Sequence, residues 1–308
     1  FKALRFDSHL NHLHRATNRA RCWQRIVAFA FDHRHQFTTW AAEHGRDSQA
    51  ISAFKQLTWQ AAQAEAGHDS GFGVLIDDRL GRSALHTATA SGGWVGRPIE
   101  LSGEFPLQYE AQGELVEHLA DWPLTQTVKI LCPYRLDDSE AICNHHEQMI
   151  KRLDRACQHS GHEWLLEIIT TRNGSQSDYR AVATIMERFY QLGVKPDWWK
   201  LEPGLQQDYW TQVNAVIDRF DPHCQGIIVL GLDGTEADIA SSFAVAAKQP
   251  WVKGFAVGRT LFAEVAQAWL AGTIDDATAI RQMRTNYRNM INAWDHAKGE
   301  IARLGSEH

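Results

Sequence analysis

The stretch "PDWWKLEP", residues 196–203, decides how the rest of the chain is read. It sets a lysine and a glutamate two positions apart, Lys200 and Glu202, inside an apolar aromatic run. In a strand, positions 198, 200 and 202 face one side and 197, 199 and 201 the other. An ammonium on a buried strand face is costly unless it is paired or used. The residue types therefore ask for a buried site with chemistry in it.

Working outward, similar short apolar runs recur, each ending in polar residues or glycine. They are "RIVAFAFDHR" (25–34), "GFGVLIDDRLG" (71–81), "GGWVGRPIELSG" (92–103), "TVKILCPYRLDD" (127–138), "EWLLEIITTRNG" (163–174), "QGIIVLGLDG" (225–234) and "VKGFAVGRTLF" (252–262). Helical patterns such as "SEAICNHHEQMIKRLDRACQHSG" lie between most of them. Eight buried-type strands alternating with helices predict parallel βαβ units and an α/β fold, a closed (β/α)8 barrel. The rival is an open doubly wound sheet, but "FDHRHQF" after the first strand carries no G-x-G-x-x-G. The 81–92 connection leaves room for only a short helix. Residues 1–24 read as a lead-in, 25–308 as one barrel with an extra C-terminal helix. The basic run "HLHRATNRARCWQR" reads as a solvated helix face or linker.

The chain has 308 residues, 44% hydrophobic and 22% charged, with net charge −6. That composition is globular and gives no nucleic-acid footprint. No apolar run approaches a membrane span. Five cysteines without a C-x-x-C pair fit a cytoplasmic setting and core packing. The first residue is Phe, so the chain reads as a piece of a longer protein. The 16 histidines cluster in "HLNHLH", "DHRH" and "NHHEQ". They read as solvated or packing residues; only His33 and His35 fall near strand ends. No H-E-x-x-H occurs, and neither a metal nor a cofactor is expected.

In a (β/α)8 barrel the active site lies at the C-terminal strand ends. Polar residues there are Asp32, His33, Arg34, Asp77, Asp78, Arg79, Glu100, Tyr134, Arg135, Thr170, Arg172, Lys200 and Glu202, followed by Gly231, Gly258 and Arg259. Lys129, Glu167 and Lys200 lie deeper, on strands four, five and six. A buried lysine suits Schiff-base formation, which needs a neutral amine. Desolvation beside Trp198 and Trp199, plus the charge of Lys129, is expected to depress the Lys200 pKa. A fall of about three units raises the neutral fraction about a thousandfold. Burial is expected to raise Glu167, which suits a base for C–C cleavage. Glycines after strands seven and eight, with Arg259, suit a phosphate.

These motifs carry a resemblance. "AFAFDHR", "VKILCPYRLDD", "WLLEIITTRNG", "DWWKLEPG" and "GFAVGRTLF" resemble the class I aldolase-like C-terminal module of bifunctional 5-dehydro-2-deoxygluconokinase / 5-dehydro-2-deoxyphosphogluconate aldolase proteins. More distantly they are similar to tagatose 1,6-bisphosphate aldolases; "LGLDG" departs from that family's serine-containing turn. The resemblance implies Lys200 as Schiff-base lysine, with Glu167, Lys129 and Asp32 as catalytic partners. Gly258 and Arg259 match the family's phosphate-binding strand end. Gly231, Arg34 and Glu202 join them as substrate-binding candidates, and Arg34, Arg79, Arg135 and Arg172 are candidates for a substrate carboxylate. The implied reaction is cleavage of 5-dehydro-2-deoxy-D-gluconate 6-phosphate to dihydroxyacetone phosphate and malonate semialdehyde, in inositol catabolism. Alternatives are another ketose phosphate, such as tagatose 1,6-bisphosphate or a sulfo-sugar phosphate, a metal-dependent aldolase, or a non-catalytic sugar-phosphate-binding module attached to a kinase. Implied partners are a phosphorylated keto-sugar acid and a fused kinase domain. Homo-oligomerisation stays open; nucleic acid and membrane are not expected.

Overall fold

Eight parallel strands close into one barrel in the order β1-β2-β3-β4-β5-β6-β7-β8. The computed structural model describes residues 7–66, 71–170, 180–231 and 236–305. The strands are β1 (Ile26–Ala30), β2 (Phe72–Leu75), β3 (Trp94–Pro98), β4 (Gln126–Pro133), β5 (Trp164–Ile169), β6 (Trp198–Leu201), β7 (Gly226–Leu230) and β8 (Val252–Val257). Each falls inside one of the apolar runs, save that β4 begins one residue before its run, and β8 pairs with β1 to complete the ring. The predicted fold class is the observed one.

The alternation read from "PDWWKLEP" holds. Trp198 packs in the barrel interior with Ile26, Ala28, Leu75, Trp94, Leu165 and Ile228. Trp199 and Leu201 face outward into the larger core under the helices. Trp199 donates its indole N–H to Tyr190 Oη at 2.8 Å, so only Trp198 of the pair lines the interior beside Lys200. The interior mixes two indoles with very small residues, as a tapered ring of fixed diameter requires. At Gly254 an added Cβ would lie 1.6 Å from the Ile26 carbonyl oxygen, so β8 closes against β1 only without a side chain.

One helix, α1 (Ser8–Thr17), precedes the barrel; the others follow the strands and wrap the outside: α2 (His35–Glu43), α3 (Ser48–Ala66), α4 (Asp78–Ala90), α5 (Leu115–Ala120), α6 (Glu140–Ser160), α7 (Ala181–Gln191), α8 (Gln207–Phe220), α9 (Glu236–Ala246), α10 (Arg259–Leu270) and α11 (Asp276–Gly305). The short helix expected at 81–92 is 13 residues long. The strand before it stops at Leu75, and Asp77 caps α4 by accepting from Leu80 N at 2.7 Å. Local side-chain capping thus outcompetes further strand pairing. α6 begins at the cap Ser139 and ends at Gly161 in the left-handed region (φ 81°), as its Ser and Gly signals predict. The extra helix α11 packs on α3, α9 and α10, and its Tyr287 hydroxyl donates to Val27 O.

The basic lead-in departs from its expected solvated role. Arg15 and Arg19 are over nine-tenths buried and both bind Asp197, which is fully buried. Arg19 also reaches His223 O at 2.8 Å, and His12 Nε2 lies 2.9 Å from Asp221 Oδ1. Asp197 further accepts from Trp164 N, at the start of β5. The helix α1 therefore plugs the N-terminal end of the barrel, bound by ion pairs rather than by an apolar stripe. Asp197→Ala would remove the buried carboxylate shared by Arg15 and Arg19, leaving Arg19 the more distant Glu163 at 3.8 Å. It is expected to cost about 3–5 kcal/mol in urea unfolding and to open the 12–25 segment to protease.

Candidate active site

Strand register gathers the deep charges. Glu167 on β5 pairs in register with Lys200 on β6. Their side chains meet in the interior, with Lys200 Nζ donating to Glu167 Oε1 at 2.7 Å. The second oxygen of Glu167 lies 3.0 Å from Lys129 Nζ on β4. Lys129 also donates to Asp32 Oδ2 at 3.1 Å and to Glu100 Oε1 at 2.9 Å. One ammonium thus stands where three carboxylates converge. Glu100 is held from the other side by Arg34, which bonds its Oε1 at 3.0 Å and its backbone carbonyl at 2.9 Å. Arg34 also pairs with Glu110 at 3.1 Å.

The charges decide each protonation state. Burial alone would push the Asp32 carboxyl up; Lys129 foremost, with Lys200 and Arg34, overcomes this and holds it far below its usual range. Burial likewise works to lower Lys129, and Asp32, Glu100 and Glu167 reverse that and hold it charged. Glu167 corrects the sequence reading. Burial does raise it, but the two ammoniums of Lys129 and Lys200 bring it below its ordinary value. It is a carboxylate at neutral pH. The His33 imidazole is pushed down to about 3, first by burial and then by Arg259, Lys200 and Lys55, against the pull of Asp32. It is neutral, with its ring edge-on to Phe262 at 5.4 Å.

A cavity of about 570 Å³ opens over this network at the C-terminal strand ends. Lys200, Glu167, His33, Gly231, Gly258 and Arg259 are in its wall, while Lys129 and Asp32 stand outside the lining. Gly258 caps α10, and an added Cβ there would lie 2.0 Å from Ala30 O. Only glycine lets the β8 end approach β1 at this wall. The fold therefore brings Asp32, Arg34, Lys129, Glu167, Lys200, Gly231, Gly258 and Arg259 to one end of the barrel.

Other candidates go elsewhere. Glu202 is buried and turned onto Thr170, accepting from its hydroxyl at 2.7 Å and its N–H at 3.2 Å; it ties the β5 and β6 ends together. Asp77 binds the fully buried Lys55. Arg135 chelates Asp137, and Tyr134 donates to Glu147. Arg79 is exposed and lines a neighbouring cavity with Arg34. Arg172 lies outside the described residues, as does the "LDG" after β7. In the sequence Glu100 stands among the polar strand-end residues without an assigned role, and Lys55 is not named at all. Glu100 completes the cage of Lys129, and the signal was its place in "PIELSG", two residues past the strand end. Lys55, from α3, braces the site by donating to His33 O at 2.9 Å; a lysine inside an amphipathic helix gives no such signal.

The outer histidines hold the wall. His146 is fully buried and accepts from Leu107 N at 3.1 Å, while His145 Nε2 lies 2.8 Å from Leu107 O. Together they pin the 99–114 segment that carries Glu100, Ser102 and Glu110. Of the solvated or packing roles expected for these histidines, His146 is buried and His145 is exposed. Among the described residues no group of three His, Cys, Asp or Glu side chains is placed to hold a metal ion. No described helix is long and apolar enough to cross a membrane.

No curated protein matches the chain. A family pattern does, over residues 1–298, so nearly the whole barrel and its lead-in are covered. The chain belongs to the DUF2090 family, described as uncharacterized proteins conserved in bacteria.

Proposed function

We propose that the protein is a Schiff-base aldolase acting on a phosphorylated keto-sugar acid. The observation that carries this reading is the different treatment of the two deep lysines. Lys129 is caged by three carboxylates and kept outside the cavity wall. Lys200 is in the wall, with the carboxylate of Glu167 at 2.7 Å to accept a proton. A lysine that must become a nucleophile needs that access to the cavity and that acceptor. A lysine that only sets the local charge needs the cage.

The residues then divide the work. The amine of Lys200 adds to the substrate ketone, and loss of water leaves an iminium. Glu167, ionised, takes the proton of the hydroxyl two carbons from the iminium carbon. The carbon–carbon bond between them breaks, an aldehyde departs, and the electron pair stays as an enamine on Lys200. The enamine carbon regains a proton and water releases the ketone product. Lys129 and Asp32 hold the Glu167 charge in place during these transfers. Arg259, the glycine edges at 231 and 258 and the start of α10 suit the phosphate. The resemblance of the strand ends supports 5-dehydro-2-deoxy-D-gluconate 6-phosphate as substrate, giving dihydroxyacetone phosphate and malonate semialdehyde. Arg34 is already engaged by Glu100 and Glu110, which makes it a positioning group in this scheme.

Two outcomes are expected. Borohydride with dihydroxyacetone phosphate should add the mass of the reduced adduct to the Lys200 peptide, and Lys200→Ala should abolish it; label on Lys129 would transfer the nucleophile role. Glu167→Gln should lower kcat about 10²–10⁴-fold while the adduct still forms. The pH profile follows from the same charges. A carboxylate with a lowered pKa supplies base above its ordinary value and loses it only as pH falls below that value. With His33 titrating near 3, kcat/KM should show no inflection from either group between pH 5 and 8. An acid limb centred near 6.5 would assign the base to a histidine.

A further inference from the structure

The proposed chemistry gives His33 no task, although it stands in the cavity wall with Lys200, Glu167, Gly258 and Arg259. Its ring is fixed from three directions. Lys55 Nζ holds the His33 carbonyl at 2.9 Å. The imidazole meets Phe262 edge-on, and Phe262 is itself stacked on Phe37 at 5.0 Å. Gly258 clears the third side, since an added Cβ there would lie 2.9 Å from His33 Cε1. Glycine at 258 therefore makes room for the imidazole as well as for the approach of β8 to β1.

The two ring nitrogens have different surroundings. Nδ1 is buried, 4.0 Å from Asp32 Oδ1 and without a hydrogen bond. The nearby carboxylate favours the tautomer with its proton on Nδ1, because a lone pair aimed at a negative charge is repelled. Nε2 then carries the lone pair. It is not buried, and among the described residues it has no hydrogen bond. With 29% of the side chain exposed in the cavity wall, Nε2 is open to whatever fills the cavity. Burial, and then the cations Arg259, Lys200 and Lys55, keep the ring neutral. A neutral ring in this tautomer accepts at Nε2 and does not donate there. Phosphate dianions and carboxylates offer only acceptors. In a sugar phosphate bound at its ketone, the groups that can donate to Nε2 are hydroxyls. Glu167 takes the hydroxyl two carbons from the iminium carbon. The hydroxyl left over is the one directly beside the ketone, on the side away from the phosphate.

We infer that His33 is a specificity-determining residue whose Nε2 accepts a hydrogen bond from the hydroxyl on the carbon beside the substrate ketone. The inference rests on the Schiff-base reading and extends it. The site takes phosphorylated α-hydroxy ketones and disfavours their deoxy analogues, which bring Nε2 no donor.

The test is borohydride trapping over a concentration series of dihydroxyacetone phosphate and, separately, of hydroxyacetone phosphate, which lacks that hydroxyl. In the parent the deoxy ketone should need about tenfold more to reach half-saturation, as expected for one lost hydrogen bond. His33→Leu should bring the two ketones within about twofold of each other. His33→Gln, whose side-chain carbonyl can accept, should keep most of the preference. The imidazole ¹⁵N spectrum of the parent reads the same contact without a variant, which keeps the test open if His33→Leu misfolds. Its Nε2 signal should move further with dihydroxyacetone phosphate than with the deoxy ketone. Equal half-saturation in the parent, a preference that survives His33→Leu, or equal Nε2 shifts overturn the inference and leave the Schiff base standing. No adduct from either ketone overturns the Schiff-base reading and this inference with it.

Discussion

One carboxylate shared between two ammoniums organises the candidate site. Glu167 places one oxygen on Lys200 and the other beside Lys129. Lys200 depends on it, since a buried unpaired charge shifts its protonation or unfolds its surroundings, whereas Lys129 also has Asp32 and Glu100. The network balances by adding Asp32 and Glu100 on the Lys129 side and Arg34 beyond Glu100. Among the described residues the interior charge is asymmetric: three carboxylates surround Lys129 and one, Glu167, meets Lys200. The chemistry proposed above uses that asymmetry, and the fold supplies it through register on three adjacent strands.

The barrel was legible because its signals are local and repeated. Each strand run ends at a polar cluster or glycine, and each helix has a cap or stop beside it. "PDWWKLEP" also gave the correct inside–outside assignment, because strand periodicity leaves no alternative once one face is buried. What periodicity missed was how far strands run. The 71–81 run reads as a strand with Asp77, Asp78 and Arg79 at its polar end, yet Asp77 caps a helix that starts within it.

The candidate site was legible in its deep residues and blurred at its edges. Lys129, Glu167 and Lys200 stood out as ionisable groups inside apolar runs. The sign of the Glu167 shift did not follow, since burial and neighbouring charge oppose each other and only distances decide which wins. Glu202 looked equivalent to Lys200 by spacing, but β6 ends at Leu201 and the Glu202 carboxylate meets Thr170. The basic lead-in misled for a related reason. Composition says arginines prefer water, whereas Asp197 and Asp221 make a buried seat for them that only tertiary structure assembles.

The histidine pair on α6 gives the outer shell a hold on the inner one. His145 and His146 grip Leu107, and that same excursion of chain delivers Glu100 to the Lys129 cage. A sub-ångström slide of this helix would therefore be felt as a change of potential inside the ring, although no cavity atom had been altered. Sequence drift among relatives at this peripheral helix would thus act as a tuning screw for interior proton affinity.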